Sequence, residues 1–176
     1  SNDYESSFAA TEHLINRGCQ KIAYLVVNKS HSIGKMRMRG YNDALAAHQM
    51  MDRDDLIIDC SNDLEKNQEI LNRLFTELKP DGIFASVERL ALATYQVCHE
   101  RQIRIPEDIK IISFSSLEIA SLLNPSLSTI TQPALEMGIA AATLLFKSIE
   151  SEEDANSNEE VVCNSSIIGR RSSASN

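Results

Sequence analysis

Lys21-Ile-Ala-Tyr-Leu-Val-Val27 is followed by a polar stretch, 28–34, ending on Gly34, and then by the run 36–48. In that run Met36, Gly40, Tyr41, Ala44 and Leu45 recur at helical spacing. A short, almost wholly apolar segment reads as a strand buried on both faces. The 3.6-residue period that follows reads as an amphipathic helix. The pattern then repeats. Leu56-Ile-Ile-Asp-Cys60 precedes a helix over 63–78 carrying Ile70, Leu71, Leu74 and Leu78 on one side. Gly82-Ile-Phe-Ala-Ser86 precedes a helix over 88–102, and Ile109-Lys-Ile-Ile-Ser-Phe114 is a fourth strand. Lys79-Pro80-Asp81 breaks the helix before the third strand.

Upstream, Tyr4, Phe8, Leu14 and Ile15 predict a helix that Gly18 stops. Downstream, Leu127-Ser-Thr-Ile-Thr131 reads as a strand or an extended crossover, and Pro133 suits the first turn of a helix running to about 149. Residues 151–160 are acidic and poor in apolar side chains, which predicts a flexible loop, and 161–168 return as an edge strand. Strands alternating with helices predict an α/β fold, a doubly wound and mostly parallel sheet with helices on both faces. Ligands of such sheets bind beyond the strand carboxyl ends. The residues just after Val27, Cys60, Ser86 and Phe114 are therefore the ones to inspect.

Composition narrows the chemistry. Seventeen basic against twenty-five acidic residues give a net charge of −8, the wrong sign for gripping a nucleic acid backbone. Any DNA reading by the parent protein falls to a segment outside this chain. No apolar run approaches a membrane span, and no basic-then-apolar leader opens the chain. Cys19, Cys60, Cys98 and Cys163 are far apart, with no Cys-x-x-Cys pair, which predicts reduced thiols in a cytoplasmic protein. His13, His31, His48 and His99 are scattered over different elements, so neither a metal site nor a catalytic triad is expected, and no cofactor is implied.

The loop after the first strand has a lone glycine and no Lys-Ser/Thr pair, against phosphate binding. Arg37 opens the next helix. It is either a salt-bridged helix-start arginine or a forked cation reaching a ligand over the sheet edge. Glu88 either favours the positive end of its helix or accepts hydrogen bonds from a ligand. Ser115 and Ser116 either cap the local backbone or bond a ligand.

Several motifs carry a resemblance. Ala9-Ala-Thr-Glu-His-Leu14 with Gly18 and Lys21-Ile-Ala-Tyr24 resembles the helix–strand pair opening the second lobe of LacI/GalR-type effector domains. Arg37-Met-Arg-Gly40-Tyr-Asn-Asp-Ala-Leu45 resembles the R-x-x-G-(Y/F)-x-x-A-L helix of that family, and Ile105-Pro-Glu-Asp-Ile109 its I-P-x-D-(I/V) approach to a strand. Ser128-Thr-Ile-Thr-Gln-Pro133 resembles its T-T-(I/V)-x-Q-P crossover, and Ile167-Ile-Gly-Arg-Arg-Ser172 its closing strand. The five stand in family order across nearly the whole chain.

The resemblance implies a type I periplasmic-binding-protein-like lobe. Residues 1–132 would form the second lobe, and 133–150 a helix returning to a first lobe. A loop over 151–160 and a returning strand and tail over 161–176 would complete the chain. It implies a sugar-like effector held by Arg37, Glu88, Ser115 and Gln132, with the Arg37 stem supported and its fork free. The sequence departs from the family pattern at Cys19, which replaces a histidine, at Glu88, which replaces an aspartate, at Val87, which replaces a polar residue, and at Ser115, which replaces a carboxylate. The expected assembly is a homodimer through Leu92, Tyr95, His99, Ile119, Leu122 and Leu123, with Leu122 and Leu123 folding back into the core as the alternative. The implied function is effector sensing by a transcriptional regulator whose helix-turn-helix lies outside this chain. A sugar-binding transport protein of the same architecture is the alternative, and a doubly wound enzyme a third.

Overall fold

The computed structural model describes residues 2–27, 29–50, 54–150 and 159–175. In chain order they form α1 (Asp3–Asn16), β1 (Ile22–Val27), α2 (Ser32–Ala47), β2 (Ile57–Cys60), α3 (Leu64–Glu77) and β3 (Gly82–Ala85). Next come α4 (Glu88–Glu100), β4 (Lys110–Phe114), β5 (Ser128–Thr131), α5 (Ala134–Glu150) and β6 (Ser166–Ile168). One sheet runs β2-β1-β3-β4-β5-β6; the first five strands are parallel and β6 is antiparallel at the edge.

The alternation of side chains along the strands builds two cores. Ala23 and Leu25 of β1 face one way with Ile83, Ala85 and Ile111, against Leu71, Leu74 and Phe75 of α3 and Leu90, Ala91 and Val97 of α4. Ile22, Tyr24 and Val26 face the other way with Phe84, Ile112 and Phe114, against Ala10 and Leu14 of α1 and Tyr41 and Leu45 of α2. Tyr24 stacks on Tyr41 with ring centroids 5.2 Å apart. α1 and α2 pack closely at Gly40, where a Cβ would run into the Tyr4 carbonyl and come within 2.9 Å of the Phe8 nitrogen.

Side-chain capping marks the start of α3, whereas α1, α2 and α4 begin without it. Asp63 accepts from the backbone N–H of Glu65 and Lys66, as its N-cap position favours. α2 begins earlier than the sequence pattern suggests: Ser32, Ile33 and Gly34, expected in a loop, lie in its first turn, with His31 extended at the N-cap. The apolar period was blind to that turn because it faces the sheet edge rather than the core. Strand β6 is also shorter than the expected 161–168 return. The acidic stretch expected to be a flexible loop falls, over 151–158, outside the described residues.

Buried serines hold the tail down. Ser172 Oγ donates to the Ile111 carbonyl at 2.6 Å and accepts from the Ser128 N–H. Ser173 Oγ lies 2.7 Å from His13 Nε2 on α1 and 2.6 Å from Ser128 Oγ on β5. Arg170 donates to the Leu127 carbonyl and to Thr129 Oγ1, both at 2.7 Å. In contrast, none of α5 is buried among the described residues: Leu135, Ile139, Leu145, Phe146 and Ile149 are all exposed. None of the described helices is long and apolar enough to cross a membrane. Cys19, Cys60 and Cys98 are buried and free, and burial pushes each thiol up to about 12. Thiols so deprived of thiolate are poor nucleophiles and poor metal ligands.

Candidate functional site

The connections out of β1 and β3 leave in opposite directions along the sheet, since β1 leads to β2 on one side and β3 to β4 on the other. This reversal makes a crevice at the carboxyl ends of β1 and β3, the usual ligand position in an open α/β sheet. A cavity of about 230 Å³ opens there, bounded by Val26 and Val27, by His31, Ile33 and Arg37, and by Ser86 and Val87. A larger cavity, about 360 Å³, lies at the opposite edge among Gln20, Lys21, His48 and Met50. It gathers none of the four residues expected to hold a ligand.

Arg37 organises the crevice. Its guanidinium lies over the Phe114 ring, Cζ 3.6 Å from the centroid. Nη1 donates to the Ser86 carbonyl at 2.8 Å, and Nε to Asp3 Oδ1 at 2.7 Å. One side chain therefore ties the ends of β3 and β4 to the start of α1, and it is 6% exposed. Here the expectation of a free fork fails at Nε and Nη1. Asp3 stands 34 positions upstream, and no local pattern in the sequence marks it as a partner.

The other expected residues lie along the same edge. Glu88 opens α4, half-buried beside Val87. Ser115 follows β4, is buried, and its Oγ accepts from the Leu117 N–H at 3.1 Å, the backbone-capping role. Gln132 follows β5 and exchanges hydrogen bonds with Ser116: its N–H donates to Ser116 Oγ, and Ser116 Oγ to its carbonyl. Of the four, Arg37 lines the cavity; Glu88, Ser115 and Gln132 continue the edge towards β4 and β5. Sequence reasoning missed Asp3, the Ser86 carbonyl, Phe114 and Ile33. The strand-end rule points to Ser86 and Phe114; nothing in the sequence signals Asp3.

The residues expected at a dimer surface divide. Leu92 is 39% exposed, Ile119 52% and Leu122 81%, and His99 is exposed. Leu123 instead packs against the core shared by α3 and α4. Tyr95 is half-buried and donates through its hydroxyl to the Pro125 carbonyl at 2.9 Å, which fixes α4 against the segment after β4.

The family of periplasmic binding protein-like domains matches residues 11–173. The chain is 29% identical over 154 residues to the ribose operon repressor of Haemophilus influenzae, covering 87% of this chain and 46% of that protein. Its fold superposes with a TM-score of 0.87 and 27% identity on a LacI family transcriptional regulator from Enterococcus faecium with bound ribose, covering 99% of this chain and 64% of that one. A sugar-binding LacI family regulator from Escherichia coli, complexed with phosphate, superposes at 0.85 with 26% identity, covering 98% and 61%. This chain spans about half the length of the curated relatives it matches. It belongs to the periplasmic binding protein-like domain family and, by sequence and fold together, to the LacI-type branch of it.

Proposed function

We propose that this chain is the effector-sensing and dimerising part of a cytoplasmic LacI-type transcriptional regulator, without catalytic activity. The carrying observation is the crevice at the switch point: a buried, oriented arginine bounds one side of a cavity that is open on the other. Half a ligand site fits a two-lobed protein in which a second sheet closes over the small molecule. The exposed apolar side chains of α5 support the same reading, since a helix apolar around its circumference is stable in water only when covered. The first lobe is the cover we assign to it.

In this reading a sugar-like effector sits between the lobes, against Arg37, Glu88 and Gln132, with Ser115 shaping the loop beside it. Closure shifts the equilibrium between two lobe arrangements, and DNA-reading heads on the complete protein respond to that shift. Leu92, Ile119 and Leu122 pair two protomers, so that two heads meet a two-fold site. The name of the Haemophilus relative and the ribose in the Enterococcus structure support a pentose or hexose scale of ligand.

The test is operator binding by the complete protein, followed by fluorescence anisotropy with and without saturating sugars. Coupling between the two sites changes operator affinity by about 5- to 150-fold. An operator affinity that no sugar alters would overturn the proposal.

A further inference from the structure

We infer that the switch-point cavity takes a neutral sugar lacking one hydroxyl, seated with its methyl or methylene edge against Val87; this rests on the effector-sensing reading above.

Three observations carry it. The first is the wall. Val26, Val27, Ile33 and Val87 present hydrocarbon to the cavity, and no Asp or Glu stands among the described residues lining it. His31 and Ser86 are the uncharged polar side chains of the lining, so a sugar hydroxyl turned to the valine and isoleucine side chains instead would give up its water and find no acceptor there. A methyl group in the same place would lose nothing and bury apolar area.

The second is where Val87 stands. It is the N-cap of α4, with the extended backbone of that position (φ −148°, ψ 151°), and its side chain makes no capping hydrogen bond. Ser, Thr, Asp and Asn are the residues that stabilise a helix there, because their oxygens accept from the first-turn N–H groups. Valine forgoes that stabilisation; it packs instead on the core shared by α3 and α4 and carries that apolar surface onto the cavity.

The third is charge. Arg37 is the strong cation of the lining, and the Asp3 carboxylate 2.7 Å away already compensates it. An anionic ligand, such as a sugar phosphate, would meet a neutral pair rather than a cation. Polar groups lie further along the edge: Glu88 at the start of α4, Ser116 after β4 and Gln132 after β5. The ligand's hydroxylated side is thus directed to β4 and β5, and its deoxygenated side to β1 and β3.

Matched sugar pairs differing by one oxygen test this. Calorimetric titration of the complete protein would compare L-rhamnose with L-mannose, L-fucose with L-galactose, and 2-deoxy-D-ribose with D-ribose, with D-glucose 6-phosphate as the anionic arm. In at least one pair the deoxy member binds about ten- to a hundredfold tighter, the range over which an apolar pocket discriminates against an added hydroxyl. Val87→Thr, which replaces one methyl by a hydroxyl at constant volume, narrows or reverses that preference while raising Tm, because threonine caps α4. Val87→Asn is the second variant should threonine fold poorly. Oxygenated members binding as tightly in every pair, or the phosphate binding tightest, would overturn the inference. If those sugars also shift operator affinity, the sensor reading stands without it. Failure of every sugar to bind at millimolar concentration overturns both.

Discussion

Arg37 Nε donates to Asp3 Oδ1 across 2.7 Å, and the two side chains are 7% and 9% exposed. Two opposite charges are thus held largely out of water at the mouth of the crevice and joined by a charge-assisted hydrogen bond. Removing one leaves the second buried and uncompensated, at a cost of about 3–5 kcal/mol. Arg37→Ala and Asp3→Ala should each lower stability by that order in urea unfolding, and the double variant Asp3→Asn/Arg37→Met by much less than the sum. Additive losses would show that the pair is not coupled. The same experiment separates two roles of Arg37: a ligand contact alone would leave stability unchanged.

Gly40 sets the distance between α1 and α2, and so the position from which Asp3 reaches Arg37. A Cβ there meets backbone atoms of Tyr4 and Phe8, which cannot rotate aside. Gly40→Ala should cost about 1–3 kcal/mol through overpacking, against the usual helix-propensity gain of alanine over glycine. Equilibrium unfolding measures it; a variant more stable than the parent would mean the helices separate freely.

The surface after β4 divides between Leu122 and Leu123. Leu122 is 81% exposed, whereas Leu123 packs on the internal core. Leu122→Glu should therefore give a folded monomer in sedimentation at micromolar concentration, with the parent dimeric. Leu123→Glu should unfold or strongly destabilise the chain, since it buries a charge against apolar neighbours. A dimeric Leu122→Glu variant would move the interface elsewhere.

His13 links stability to pH. Burial first, then the nearby Arg17 charge, lowers its pKa from the usual value near 6.5. The unfolded chain therefore takes up the proton more readily than the folded one, and stability rises with pH across that interval. The contribution is complete above about pH 6.5, declines as pH falls below it, and levels off once the folded imidazole is also protonated. Tm measured from pH 8 to 5 should drop more steeply in the parent than in His13→Gln. Equal slopes would remove His13 as the cause. Asp108, drawn down to about 2 by its hydrogen bonds from Arg104, acts in a separate window. Its loss begins only as pH falls through the ordinary carboxylate range.

The sheet and its flanking helices were legible because each carries a strong periodic signal: the β1 run and the Leu71–Leu74 face of α3 admit one reading each. Element ends were less so. The first turn of α2 has no buried apolar residue to announce it, and the short β6 shows little contrast between its faces. Arg37 was legible as a special residue through its place after a strand, yet its chemistry was not. The carboxylate that engages it comes from a different helix, and contacts at long sequence separation leave no trace in local spacing. Leu122 and Leu123 look identical in sequence; a short 3-10 segment, Glu118–Ser121, decides which of them turns inward.

Ser172 and Ser173 have a consequence for the order in which the molecule can be made. The backbone groups they satisfy belong to β4 and β5, and their companion histidine to α1. During vectorial synthesis those groups emerge from the ribosome long before the two serines that complete them. The carbonyl of Ile111 and the N–H of Ser128 must wait, solvated or mispaired, until the tail arrives. Native packing on the ribosome is consequently a late event for this chain. A product truncated before residue 170 would leave the Ile111 carbonyl and the Ser128 N–H without the partner that Ser172 supplies, and buried polar groups left so are a standing cost to the fold.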